Sequence, residues 1–143
     1  MKKIFFISLI AGLLIANTSC KKDDTCSTGS TTGNISTNIS KFASTDPQYA
    51  TKIIPATASL TGTKIEIHSK ASFDALVKSV NYNGASVSFS ALAKGKYYVM
   101  AWKDNDSNTQ FSDGDYFGFV EKAVVIKGGE NLSFNIQMYI LKN

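Results

Sequence analysis

The chain has 143 residues, 43% of them hydrophobic, and a formal net charge of +4, which suits one globular domain. All 15 basic residues are lysines, and two of them lie in the first three positions. Arginine normally makes the bidentate contacts to phosphate and guanine. Its absence, with no lysine cluster after residue 22, argues against a nucleic-acid partner.

Residues 1–19 have the form of a cleavable export signal. Lys2 and Lys3 precede an apolar run at 4–16, which is shorter than the ~20 residues of a membrane-spanning helix. Ser19-Cys20 resembles the end of a lipobox, in which Cys20 would carry a diacylglycerol thioether that anchors the chain to a membrane. Asn17 departs from the commonest lipobox. The alternative is an ordinary secretory signal followed by an incidental cysteine.

Residues 20–33 are small and polar and are predicted to form a flexible tether. Lys22-Asp23-Asp24 resembles the export signal of Bacteroidetes surface lipoproteins. The resemblance implies an outer-membrane lipoprotein that faces outward, and a periplasm-facing position is the alternative. Cys26 has no second cysteine apart from Cys20, so it is expected to be an exposed thiol or to pair between molecules.

Short alternating apolar runs between turn signals predict that residues 34–143 are all-β. Between 43 and 62 the pattern is weaker, and an edge strand at Thr57–Leu60 is one interpretation. The seven predicted strands are Asn34–Phe42, Thr63–Ser69, Ala75–Tyr82, Ser86–Leu92, Tyr97–Lys103, Tyr116–Lys127 (broken by Gly118) and Asn131–Leu141.

The segment from Leu92 to Val99, with Ala93 and Gly95 before Tyr97-Tyr98-Val99, resembles a strand of transthyretin-like, carboxypeptidase-regulatory-like and Cna-B-like domains. With the strand count, the resemblance implies an antiparallel Ig-like or transthyretin-like β-sandwich of about seven strands. That module occurs in many surface proteins, and its fold alone implies no activity.

The segment from Asp104 to Asp115 has the spacing of a calcium loop. Oxygen-bearing side chains stand at loop positions one, three, five, nine and twelve, and position seven would offer a backbone carbonyl. Thr109 departs from the pattern at position six, where an EF-hand has glycine. The alternative is a solvated acidic loop. The predicted Ca²⁺ ligands are Asp104, Asp106, Asn108, Gln110, Ser112 and Asp115.

No catalytic constellation stands out in the sequence. His68 is the single histidine, and it is expected to be an ordinary outward strand residue. Trp102 and Tyr116 flank the acidic loop and are candidate contacts for a sugar ring, although core packing is the commoner use of such residues. The sequence therefore predicts a non-enzymatic, lipid-anchored interaction or accessory module with a protein or glycan partner, or alternatively a carbohydrate-binding module.

Overall fold

The computed structural model describes residues 29–142. The predicted signal at 1–19, the predicted lipid-acceptor Cys20, Cys26 and the tether as far as residue 28 lie outside this range. Between residues 29 and 142, no helix has the length and apolar character needed to cross a bilayer.

The described chain is almost entirely β, as predicted, with one short 3₁₀ helix at Pro47–Lys52. Asp46 caps this helix by accepting a hydrogen bond from the backbone N–H of Gln48 at 3.0 Å. The eight strands are β1 (Thr32–Lys41), β2 (Lys64–His68), β3 (Leu76–Asn81), β4 (Val87–Ala93), β5 (Gly95–Lys103), β6 (Tyr116–Phe119), β7 (Val124–Ile126) and β8 (Asn131–Ile140).

The strands form one mixed sheet in the order β3-β2-β5-β6-β8-β1-β4, and β7 also pairs with β5. β1 and β8 run parallel over eight residue pairs, from Asn34–Asn131 to Lys41–Met138. The other strand pairs are antiparallel. The end strands β3 and β4 are consecutive in the chain, and the sheet is nearly barrel-shaped.

Two details of the predicted strands are wrong. The predicted strand Tyr116–Lys127 is two strands, because the chain pairs first with one half of β5 and then with the other. β6 pairs with Met100–Lys103, and β7 pairs with Gly95–Tyr97. The break lies at 120–123, whereas Gly118 stays inside β6. The arrangement is also not wholly antiparallel, since β1 and β8 are parallel.

Two predicted boundaries also change. Thr57–Leu60 forms no strand; the segment turns, and Ala58 donates a backbone hydrogen bond to Pro55. The last residues of the predicted tether belong to the domain, because Thr32 pairs with Ala93 and Gly33 with Leu92 in the β1–β4 ladder.

The core lies inside this sheet and takes side chains from every strand except β3, whose residues are exposed. Alternate residues point into it, as the period-two pattern predicts. Burial of these side chains is the main favourable term in folding. The fully or almost fully buried apolar side chains include Ile35, Ile65, Ile67, Phe89, Leu92, Val99, Ile126, Ile136 and Met138.

The predicted Gly128-Gly129 turn joins β7 to β8, and both glycines have positive φ. The Glu130 carboxylate accepts hydrogen bonds from the backbone N–H groups of Lys127 and Gly128. Desolvation alone would raise the pKa of Glu130, but these hydrogen bonds and the nearby Lys127 charge hold it below its ordinary value. The turn is therefore fastened by an ionised side chain.

Gly118 lies where β6 meets β8. A Cβ atom at this position would collide with the carbonyl oxygen of Gln137 and would lie 2.8 Å from Cγ2 of Ile136. The two strands therefore approach each other more closely than any residue with a side chain permits.

We expect Gly118→Ala to lower the free energy of unfolding by about 2–3 kcal/mol, because a backbone oxygen cannot move aside as a flexible side chain can. Urea denaturation of the purified chain measures the change. Gly95→Ala is the control, since its nearest contacts would be at an ordinary 3.6 Å. Equal losses in the two variants would contradict the steric explanation.

Candidate metal centre

The loop from Asp104 to Asp115 connects β5 to β6 and is fastened at its far end. The backbone N–H of Leu141, just after β8, donates to the carbonyl of Asp115 at 2.7 Å. Gly114 donates in turn to the carbonyl of Leu141 at 2.9 Å. The loop thus extends the central strand β5 and is closed by the end of β8.

Three of the predicted ligands converge. Asp104, Asp106 and Asp115 each offer a carboxylate oxygen, and these oxygens lie within 4.8 Å of one another. Among residues 29–142, this is the one group of three or more His, Cys, Asp or Glu side chains with such spacing. Hard carboxylate oxygens are the ligands that calcium prefers.

Asn108 and Ser112, the next two predicted ligands, lie against the same carboxylates. The amide nitrogen of Asn108 donates to Oδ2 of Asp106 at 2.7 Å and to Oγ of Ser112 at 3.0 Å. The Ser112 hydroxyl donates to Oδ2 of Asp106 at 3.1 Å. Five of the six predicted ligands therefore form one cluster.

Gln110, the sixth predicted ligand, is tied to the cluster through its backbone. Its N–H donates to Oδ1 of Asn108 at 2.7 Å. The Asn108 amide thus accepts from the backbone on one side and donates to Asp106 on the other. In this orientation the Asn108 amide holds the turn. Rotating the amide by 180° would exchange the positions of its O and N atoms and direct the oxygen toward the carboxylates.

Asp115 is fully buried. It accepts hydrogen bonds from the backbone N–H of Asn105 at 2.9 Å, from that of Ser112 at 3.0 Å, and from Nε1 of Trp102 at 3.4 Å. A buried carboxylate is costly unless such donors surround it. Asp115 is therefore the inner support of the loop as well as a candidate ligand.

Asp104 is held in its ionised form by the loop backbone. Desolvation would raise its pKa, but hydrogen bonds led by the N–H of Thr109, at 2.8 Å, outweigh that effect and lower the pKa below its ordinary value of 3.8. Asn108 contributes a further backbone donor at 3.2 Å. The loop thus presents a carboxylate rather than a carboxylic acid.

Thr109 has the backbone conformation of the residue that it replaces. Its φ is +64°, and that of Ser107 is +62°, both in the left-handed region that glycine adopts most easily. Position six of an EF-hand loop is glycine because the chain turns sharply there. The departure noted in the sequence is therefore one of residue type and not of backbone conformation.

Trp102 and Tyr116, the candidate sugar contacts, differ in exposure. Trp102 is half-buried and packs against Phe111 with ring centroids 4.6 Å apart. A depression of about 240 Å³ lies beside it, lined by Gly62, Lys64, Asp104 and Thr109. Tyr116 is a core residue only 6% exposed, so the predicted ligand contact at this residue is wrong. The reason is the period of two, which turns Tyr116 inward and Phe117 outward.

His68 lies on the outer side of its strand, as predicted, but it is buried. Its Nε2 lies 3.0 Å from the Glu66 carboxylate, and its ring meets Phe73 edge-on at 5.4 Å. Its Nδ1 has no hydrogen-bond partner within the described chain. The loop at 69–75 covers this histidine, which the strand pattern alone could not indicate.

An aromatic row that the sequence pattern did not predict crosses the outer face of the sheet. Strand register aligns Trp102 with Phe117 and Phe117 with Tyr139. The ring of Phe111 packs against both Trp102 and Phe117. The ring centroids of Phe117 and Tyr139 are 5.9 Å apart. The available signal was the presence of aromatic residues at positions that alternate with the core positions of β6 and β8.

Comparison with known proteins finds no matching family model, curated protein or solved structure.

The positive φ of Thr109 gives a direct test of the loop geometry. We expect Thr109→Gly to raise the free energy of unfolding by about 1 kcal/mol, because a β-branched residue is strained in the left-handed region. Thr61→Gly is the control, since Thr61 is an exposed turn residue without positive φ. Urea denaturation should show opposite signs for the two variants, and a loss in both would exclude the strained turn.

Proposed function

We propose that the chain is a lipid-anchored, non-enzymatic module of the bacterial cell envelope whose Asp104–Asp115 loop is ordered by Ca²⁺. The observation that carries the metal proposal is the approach of the Asp104, Asp106 and Asp115 oxygens to within 4.8 Å. Like charges this close repel one another. A divalent cation would replace that repulsion with attraction and fix the loop.

The role proposed for the ion is structural. The loop carboxylates are already occupied by donors from the protein itself, such as the N–H groups of Asn105 and Thr109. Extracellular calcium sites commonly have dissociation constants of about 10⁻⁴–10⁻³ M. A site of that affinity would be filled outside a cell.

The location is proposed from the sequence. The signal-like segment at 1–19 and Cys20 favour a lipid anchor in the outer membrane, and Lys22-Asp23-Asp24 favours the outer surface over the periplasmic face. A domain held there on a polar tether could meet a protein or a glycan partner. We propose this interaction or accessory role in preference to catalysis.

We also propose that the near-barrel is a variant of the transthyretin-like sandwich. The ladder between β6 and β8 has only two residue pairs, Tyr116–Ile140 and Phe117–Tyr139. A bend at this short ladder would place β4-β1-β8 opposite β2-β5-β6 across the core. A sandwich with one joined corner would have this arrangement.

The calcium proposal predicts a thermal shift. Calcium at about a hundred times its dissociation constant should stabilise the folded chain by about 2.7 kcal/mol, which a melting curve against EDTA detects. The double variant Asp104→Asn/Asp106→Asn should lose this shift. Asp74→Asn should keep it, because Asp74 lies outside the loop and contacts Lys70. No shift of the unmodified chain at calcium of about 100 mM, a hundred times the weakest dissociation constant expected, would refute the proposal.

The lipid proposal predicts labelling with radioactive palmitate in the native bacterium, because Cys20 would carry acyl chains. Cys20→Ala should abolish the label, whereas Cys26→Ala should leave it unchanged. On intact cells, external protease should remove the protein, and Asp23→Ala/Asp24→Ala should protect it. Label that persists in Cys20→Ala would exclude this anchor.

A further inference from the structure

A groove lies beside β8, at the point where its ladder with β6 ends. The β6–β8 ladder stops after Phe117–Tyr139, and the chain then turns away at 120–123 to form β7. The space left between this link and β8 has a volume of about 620 Å³, within the roughly 300–1,000 Å³ of small-molecule sites. Its walls include the rings of Phe42, Phe119 and Tyr139 and the polar side chains of Asn135 and Gln137.

Aromatic rings form much of the groove wall. Phe119 is 42% exposed, and its ring lies 5.7 Å from that of Phe117, which in turn meets Tyr139. Phe42 is held beside β8 by its backbone N–H, which donates to the carbonyl of Met138. Each of these rings packs against a neighbouring ring, and the part that lines the groove offers apolar surface to a ligand.

Polar side chains stand between the rings and are free to bind. Gln137, Glu121 and Lys122 are exposed, and their side chains make no hydrogen bond to any residue between 29 and 142. Asn135 uses its amide N–H on Ser40 at 2.8 Å, which leaves its carbonyl oxygen available. The groove therefore carries both donors and acceptors.

A second depression extends the groove. It has a volume of about 210 Å³, shares the walls Phe42 and Tyr139 with the first, and is closed by Tyr49 and Lys52. Phe42 and Tyr49 meet edge-on with centroids 5.6 Å apart. The two depressions thus flank a common aromatic ridge, which suits an elongated ligand better than a single compact one.

The lining chemistry distinguishes among occupants. An apolar protein surface or a lipid chain would strip water from Gln137, Glu121 and Lys122 without replacing their hydrogen bonds, which is costly. In the larger depression one carboxylate is matched by one ammonium group, so it does not select a strongly charged ligand. A sugar chain fits both requirements, because each ring has an apolar C–H face and a rim of hydroxyl groups.

We propose that this groove binds a neutral oligosaccharide, with its sugar rings stacked on Tyr139, Phe42 and Phe119 and its hydroxyl groups bonded to Gln137, Asn135, Glu121 and Lys122. The inference builds on the proposed interaction module and gives it a ligand class. It uses none of the loop carboxylates, so the glycan site and the calcium loop can fail separately. It also differs from the Trp102 and Tyr116 contacts suggested by the sequence.

Calorimetric titration tests whether the groove binds a glycan. The purified full chain is kept in a detergent without a sugar headgroup. The probes are cellohexaose, laminarihexaose, xylohexaose and mannohexaose, with the corresponding monosaccharides. We expect at least one hexasaccharide to bind and its monosaccharide to bind about tenfold more weakly or worse, since two depressions are filled only by a chain. Absence of binding by all four at millimolar concentration would overturn the proposal.

Variants locate the binding. Tyr139→Ala and Phe119→Ala should each weaken it by about tenfold or more, because stacked aromatic residues dominate such contacts. Gln137→Ala should weaken it by about threefold to tenfold through a lost hydrogen bond. Phe111→Ala and Ser133→Ala are matched controls, exposed on the loop and on β8 but outside the groove lining, and should change affinity by less than about twofold.

Three results count against the groove. Binding that survives Tyr139→Ala, Phe119→Ala and Gln137→Ala places the glycan elsewhere. Binding that is lost in Phe111→Ala alone places it at the Trp102 depression. A dimer in sedimentation analysis that Phe119→Ala converts to a monomer makes a second copy the occupant. Circular dichroism of each variant confirms that it is folded, and titration in EDTA separates the groove from the metal loop.

Discussion

The backbone hydrogen bonds along both edges of β5 hold the molecule together. One edge pairs with β2 from Lys64–Trp102 to His68–Tyr98. The other edge pairs with β7 near Gly95 and with β6 near Lys103. Tyr97, Val99 and Ala101 point into the core, while Met100 is buried on the opposite side. Because β5 is paired on both edges and is buried on both faces at its centre, it fixes the position of the candidate metal loop attached to its end.

The loop illustrates how a protein keeps carboxylates close together. Its acidic groups are surrounded by backbone N–H donors, by the Asn108 amide and by the indole of Trp102. Such hydrogen bonds favour the ionised form and offset the mutual repulsion of the charges. They also require tight turns, which accounts for the left-handed conformations of Ser107 and Thr109. The same turns direct the carboxylate oxygens toward one point.

Much of the fold could be predicted from local pattern, because alternation of apolar and polar residues reports which face of a strand is buried. The alternation correctly predicted that Ile65 and Ile67 point inward, and it correctly predicted which face of β8 lies on the core. It could not give the parallel pairing of Ile39 with Ile136, which lie 97 positions apart and meet only when the whole sheet is assembled. Pairing partners depend on global packing, and a period of two carries no information about them.

In the candidate site, too, local features could be predicted from the sequence and others could not. The spacing in the sequence was enough to predict that Asp104, Asp106 and Asp115 lie together, because a loop of a dozen residues is a local structure. The spacing did not predict the left-handed backbone conformation of Thr109, because a β-branched residue rarely adopts it. The prediction for Tyr116 is wrong because β6 begins directly after the loop, and the register there turns Tyr116 inward and Phe117 outward.

The aromatic row joins the two regions for which a function is proposed. Trp102 donates to Asp115 in the loop and packs on Phe111, and Phe111 packs on Phe117. Phe117 then contacts both Phe119 and Tyr139, which form walls of the groove. Phe119 and Tyr139 are carried by β6 and β8, whose backbone pairing holds these two rings independently of the loop. A groove whose walls are fixed in this way loses less entropy when it binds a ligand.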